Sequence, residues 1–138
     1  DKFTLMKTTL ILSIILLSLS PYSFSQTCIK QAVFTNSTDM KTSGNADVIT
    51  NKKGQTVIKF NDNFKTEEGP DLDIYLSDEQ TVNDSTSIKV QALLLLEGGQ
   101  KYKLASEIDI SKYDYIIIHC TKWNHWYGSA KLESCEIE

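Results

Sequence analysis

Apolar and polar residues alternate in short blocks through most of the chain, and the blocks read as strands separated by turns. Ala46 to Ile49 predicts a short strand, followed by a turn at Asn51-Lys52-Lys53-Gly54, where the usual turn residues cluster. Thr56 to Phe60 is rich in the β-branched and aromatic residues that suit a pleated surface. Asn61-Asp62-Asn63 and the stretch from Glu67 to Pro70 are breaks on either side of Phe64. Leu72 to Leu76 sets Leu72, Ile74 and Leu76 against Asp73 and Tyr75, the period of two expected of a half-buried strand. Asp78 to Ser87 is a polar loop, and Ile88 to Leu96 fits strand or helix by its apolar content. Gly98-Gly99 turns the chain into a further alternating segment, Gln100 to Leu104. Tyr113 to Cys120 is bulky on both faces, which predicts a central strand covered on each side. Trp126 to Leu132 is the last strand, with Gly128 where a bulge is tolerated. No segment carries the stripe of an amphipathic helix. About seven or eight short strands in succession predict an all-β, single-domain antiparallel β-sandwich or barrel.

The beginning of the chain follows a different pattern. Leu10 to Leu19 is apolar apart from Ser13 and Ser18, Lys7 precedes it, and Pro21 then breaks any helix. Ser23 and Ser25 put small residues where a signal peptidase reads, so residues 1–25 predict a secretory signal cleaved after Ser25. A transmembrane anchor needs about 20 apolar residues, and this run is shorter. Residues 1–5 precede Met6 and read as an upstream leftover. Thr27 and Ser25 do not match the residues a lipoprotein signal needs before Cys28. The expected product is secreted, periplasmic or held at the cell surface, without a membrane span after cleavage. It divides into an N-terminal segment, 26–41, and a β domain, 42–138.

Composition narrows the function. The product would have 113 residues, which suits one domain with one core. The whole chain carries −4; Asp1, Lys2 and Lys7 together carry +1, so removing them leaves −5. An acidic chain without a basic run is a poor ligand for nucleic acid. No nucleophile elbow, phosphate-cradling loop or dinucleotide fingerprint is present.

Cysteine is the remaining chemistry. Cys28, Cys120 and Cys135 survive cleavage, and an odd count in an oxidising compartment leaves one thiol over or one bridge to another chain. Cys28 and Cys135 lie near the two ends of the domain, and chain ends commonly lie close together, so they are the expected pair; the other two pairings stay open. Cys120 is then the candidate redox thiol or ligand. Lys122, two residues on, is expected on its face of an extended chain, where a cation favours the thiolate. His119 and His125 are candidate cofactor ligands, and Cys120 with a histidine makes haem the cofactor to consider, although no Cys-x-x-Cys-His motif is present. A zinc spacing is absent. Against this, Cys120 follows Ile116 and Ile118 at alternate positions, the pattern of a cysteine that packs a core. Asp71 and Asp73, with Glu67 and Glu68, offer carboxylates to a cation, but Gly69-Pro70-Asp71 reads first as a turn. Trp123, Trp126 and Tyr127 read as core aromatics, with a binding face as the other reading.

The motifs resemble a known family. Gly69-Pro70-Asp71-Leu72 leading through Asp73 and Ile74 to Tyr75-Leu76, the Gly-rich turn into Gln100-Lys101-Tyr102, and Ile116 to Cys120 resemble the DM-thirteen domain, often described as an electron-transfer domain. Trp123, Tyr127, Gly128, Ala130 and Leu132 continue the likeness, which runs from about Thr42 to Leu132. His119 and His125 depart from it, standing where the family usually has aromatic residues. The resemblance implies an exported redox accessory domain acting through Cys120, as a bare thiol or as a ligand, toward a separate exported electron-transfer protein. The other reading is a non-catalytic cell-surface or periplasmic binding module in which Cys120 only packs. An independent enzyme has the least support.

Overall fold

A computed structural model describes residues 26–136; the signal-peptide reading of residues 1–25 lies outside them. Ten strands follow one another: β1 (Thr27–Asn36), β2 (Thr42–Ser43), β3 (Asn45–Thr50), β4 (Thr56–Phe60), β5 (Lys65–Thr66), β6 (Leu72–Ser77), β7 (Ile88–Ala92), β8 (Gln100–Lys103), β9 (Tyr115–Cys120) and β10 (His125–Lys131). One turn of 3₁₀-helix, Ile110–Lys112, leads into β9 and is capped by the Asp109 carboxylate, which accepts from the Ser111 N–H. Eight strands form one antiparallel sheet in the order β7-β6-β9-β10-β1-β3-β4-β8, nearly closed into a barrel or flattened sandwich. β2 and β5 pair separately as a two-stranded ribbon.

The expected strands at 46–49, 56–60, 100–104, 113–120 and 126–132 are present with small shifts at their ends. The 88–96 segment resolves as strand only as far as Ala92. Two expectations change. The N-terminal segment 26–41 supplies β1, the longest strand, between β10 and β3 in the middle of the sheet. β6 is covered on both faces: Asp73 and Ser77 are as buried as Leu76. β9 is the central strand the sequence predicts, buried from Ile116 through Cys120. The expected bulge is there as well, since the pairing of β10 with β9 shifts between Trp126 and Gly128. At Gly128 a Cβ would lie 2.5 Å from Thr42 Cβ and 2.8 Å from Thr35 O, so only glycine lets the ribbon and β1 approach.

The core is aromatic at one end and aliphatic along β6 and β9. Phe34, Phe60, Phe64 and Tyr102 pack with ring centroids 4.5–5.2 Å apart, and Ile74, Leu76, Ile116 and Ile118 fill the remainder.

Between β7 and β8 the sheet is joined by side chains instead of a ladder. The chain leaving β7 is tied to Leu72 O by the Leu93 N–H (2.9 Å). Leu94 N–H donates to Tyr102 Oη (3.0 Å), and Leu95 N–H donates to Gln100 Oε1 (3.0 Å). Gln100 Nε2 donates back to Leu95 O (2.9 Å), so this amide makes both bonds a neighbouring strand would make. The Tyr102 hydroxyl also donates to Gln100 Oε1. The two ends of the described domain are held by a Cys28–Cys135 disulfide, Cα atoms 6.2 Å apart, as the sequence position of the two cysteines leads one to expect.

Candidate functional site

β9 alternates, so Ile116, Ile118 and Cys120 enter the core while Ile117 and His119 face the other way. Cys120 is the last residue of the strand, flanked by Leu72 on β6 and His125 on β10. It is unpaired and has no solvent exposure. The strand ends there, so the alternation that would bring Lys122 to the thiol's face stops, and Lys122 is exposed in the hairpin turn.

The residues around this end of the barrel are drawn from distant parts of the chain. Thr121 N–H donates to Asp71 O (2.9 Å), fixing the turn before β6 against the end of β9. The Tyr127 hydroxyl donates to Glu68 O (3.1 Å). Gly69 lies so close that a Cβ would stand 2.6 Å from Tyr127 Oη and 2.9 Å from Leu72 Cδ2. Thr42 Oγ1 donates to Tyr127 O (2.9 Å) and lies 2.8 Å from Thr66 Oγ1, which anchors the β2–β5 ribbon beside them. Burial holds the Tyr127 phenol above its ordinary range, with Cys120, Glu67 and Asp39 adding to the effect. Gly69-Pro70-Asp71 is a turn, as the sequence implies, and Asp71 is exposed.

The opposite face of β6 and β9 carries a second polar group that the sequence pattern does not reveal. Asp73 lies opposite His119. Its Oδ2 accepts from Lys89 Nζ (3.0 Å) and from the Thr121 hydroxyl, which in turn lies 3.0 Å from Tyr75 Oη. Lys89 is held above its ordinary range, chiefly by that bond to Asp73. His119 Nε2 lies 3.0 Å from Asn124 Oδ1, and Asn124 takes a positive φ of 48° in the hairpin turn, where asparagine is tolerated. The imidazole meets the Tyr75 ring edge-on at 5.6 Å. Tyr75, His119, Thr121 and Asn124 form one wall of a cavity of about 340 Å³, and Val82, Asn83, Asp84 and Ser87 form the other. The available sequence signal was an aspartate on β6 and a lysine on β7, a charged pair on adjacent strands.

The predicted ligand set is therefore divided. His119 and Cys120 point to opposite faces of the sheet. His125 reaches the surface, its Nε2 3.0 Å from the Asp39 carboxylate and its ring edge-on to Tyr127 at 5.7 Å. Cys120, sealed in a packed core, leaves no room for a macrocycle, and these residues do not fit a haem iron held by cysteine and His119. Among the described residues no three His, Cys, Asp or Glu side chains converge on a metal position. Of the aromatic group, Tyr127 is buried, Trp126 is half-buried, and Trp123 stands 62 % exposed at the tip of the β9–β10 hairpin, contrary to the core position its type predicts. Leu72, Leu76, Gln100, Tyr102 and Ala130 are all buried, so most of the motif residues build the barrel.

Fold and site together define a small all-β domain built around one sealed cysteine. The chain matches the electron transfer DM13 family over residues 33–132, and it belongs to that family. The match takes in the last four residues of β1, ahead of the Thr42 start of the likeness in its motifs. No curated protein and no solved structure matches the chain.

Proposed function

We propose that this protein is exported and serves as an accessory domain of an electron-transfer system, with Cys120 as the thiol through which it acts on a separate exported partner when the 67–71 segment over it opens. The observation that carries this reading is the separation of the three cysteines. Cys28 and Cys135 are joined at the two ends of the described domain, while Cys120 alone is unpaired, within the residues that match the electron-transfer family. It sits where the turn at Gly69-Pro70-Asp71, Tyr127 and the end of β9 come together. Burial protects such a thiol from the oxidising surroundings that bridge the other two.

One observation favours the second reading, a binding module in which the cysteine only packs: Cys120 belongs to the continuous apolar core. Protein-film voltammetry on the wild type and on Cys120→Ala, both with the terminal disulfide intact, separates them. A redox wave present in the first and lost in a folded second supports the redox reading. Identical traces, with the variant merely less stable, leave the binding module. Export is tested by intact mass: protein expressed with its own leader should begin at Gln26 and carry no lipid on Cys28.

A further inference from the structure

We propose that the groove between the turn at Gly69-Pro70-Asp71 and the segment after β7 is a docking surface for a protein that presents an apolar protrusion within a basic rim. Leu94, Leu95 and Leu96 are consecutive and 61, 51 and 41 % exposed. Scattered surface leucines are ordinary, but three in a row beside a groove are not.

Their exposure is imposed by the frame. The Leu93, Leu94 and Leu95 N–H groups donate to Leu72 O, Tyr102 Oη and Gln100 Oε1, while Leu96 O accepts from Thr66 N–H (2.8 Å). A backbone held at four successive residues cannot turn these side chains inward, and it presents them without the ordering cost of a flexible loop. Beside them lies a groove of about 300 Å³, floored by Leu72 and walled by Pro70 and the 92–96 segment. A pocket next to a fixed apolar ridge is the arrangement into which an anchoring side chain inserts at a protein interface.

The rim selects the occupant. Asp71 lines the groove, Glu67 and Glu68 precede it, and all three are exposed. Neither Glu68 nor Asp71 is in an ion pair among the described residues. Glu97 follows the leucines, with only a loose, exposed pairing to Lys65 at 3.8 Å. A second copy would bring like charges together, and an anionic membrane would be repelled, so the complementary surface is a basic-rimmed protein. The inference goes beyond the role of Cys120 and holds under either reading of it.

The test is an amide NMR titration of the full chain with an amphipathic helical peptide, leucines on one face and lysines on the other, beside its glutamate counterpart. The lysine peptide should bind saturably and salt-sensitively, shifting Leu94–Leu96 and the 69–71 turn. Leu95→Ser with Leu96→Ser should weaken it at least tenfold, and Glu68→Lys with Asp71→Lys should reverse the preference toward the glutamate peptide. These side chains are exposed, so the variants keep the fold, which circular dichroism checks. Shifts spread over the whole acidic surface, equal binding of both peptides, concentration-dependent dimerisation through the leucines, or leucine-dependent binding to phosphatidylglycerol vesicles would each overturn the proposal.

Discussion

Asp73 on β6 and His119 on β9 lie opposite each other, and each keeps one buried atom, Oδ1 and Nδ1, without a hydrogen-bond partner. Burial lowers the His119 pKa below its usual 6.5; the bond to Asn124 opposes this, His125 adds to it, and the Asp73 and Asp84 carboxylates oppose it. In the window between the lowered folded value and the unfolded 6.5, the unfolded chain binds more protons, so stability rises with pH there. This contribution is whole above that window and is lost as pH falls through it. Urea midpoints should therefore drop between pH 7.5 and pH 5.5, and His119→Gln should flatten the drop. An unchanged slope in the variant would assign the pH dependence to other groups.

The seam between β7 and β8 depends on two side chains. Tyr102→Phe leaves Leu94 N–H without its acceptor, and Gln100→Leu removes both bonds to Leu95. These bonds are part-buried, so each group left unpaired costs at most about 1–3 kcal/mol, the penalty of a fully buried one. Denaturant unfolding should show losses up to that size, the greater for Gln100→Leu. Amide exchange at Leu94 and Leu95 should quicken before exchange in β9 does. Uniform acceleration through the sheet would mean that the seam does not open separately.

Much of this barrel was legible because strand signals are local. β8 alternates within a few residues, β4 is rich in β-branched and aromatic residues, β9 is bulky on both faces, and Gly128 marks the bulge in β10. β1 escaped because its own bulge between Cys28 and Lys30 breaks the period, and only Ala32 and Phe34 along it are buried. β6 read as half-buried because Asp73 looks like a solvent-facing residue until Lys89 and Thr121 are seen against it. The two-residue strands β2 and β5 are too short to carry a period. At the candidate site, the residue type singled out Cys120, and its step from Ile118 foretold its burial. The convergence of Gly69, Glu68, Thr42 and Tyr127 was not legible, since these residues meet only after the barrel forms.

The terminal bridge closes a loop of 107 residues. In the chain-entropy model a loop near that length contributes about 4.7 kcal/mol by restricting the unfolded chain. Non-reducing peptide mapping should recover Cys28 linked to Cys135 and Cys120 as a thiol. Reduction, or Cys28→Ala with Cys135→Ala, should lower the unfolding free energy by an amount up to that value. Recovery of Cys120 in a disulfide would refute the arrangement.

The cover over the Cys120 end of the barrel can be probed by its smallest residue. In the folded wild type, Cys120 should resist a thiol reagent such as dithionitrobenzoate and give one equivalent on denaturation, because its sulfur has no route to solvent. Gly69→Ala places a methyl group against Tyr127 Oη and Leu72, and must displace the hydroxyl from Glu68 O or shift the turn. Overpacking of this kind costs about 1–3 kcal/mol. Gly54→Ala is the control: its φ of +76° makes alanine strained, yet a Cβ there meets nothing within 4 Å, and Gly54 belongs to the turn between β3 and β4. If the 67–71 segment gates the thiol, Gly69→Ala should speed labelling well beyond what its loss of global stability explains, whereas Gly54→Ala should speed it only in proportion to that loss. Equal behaviour of the two variants would show that Cys120 is reached only by unfolding the whole barrel.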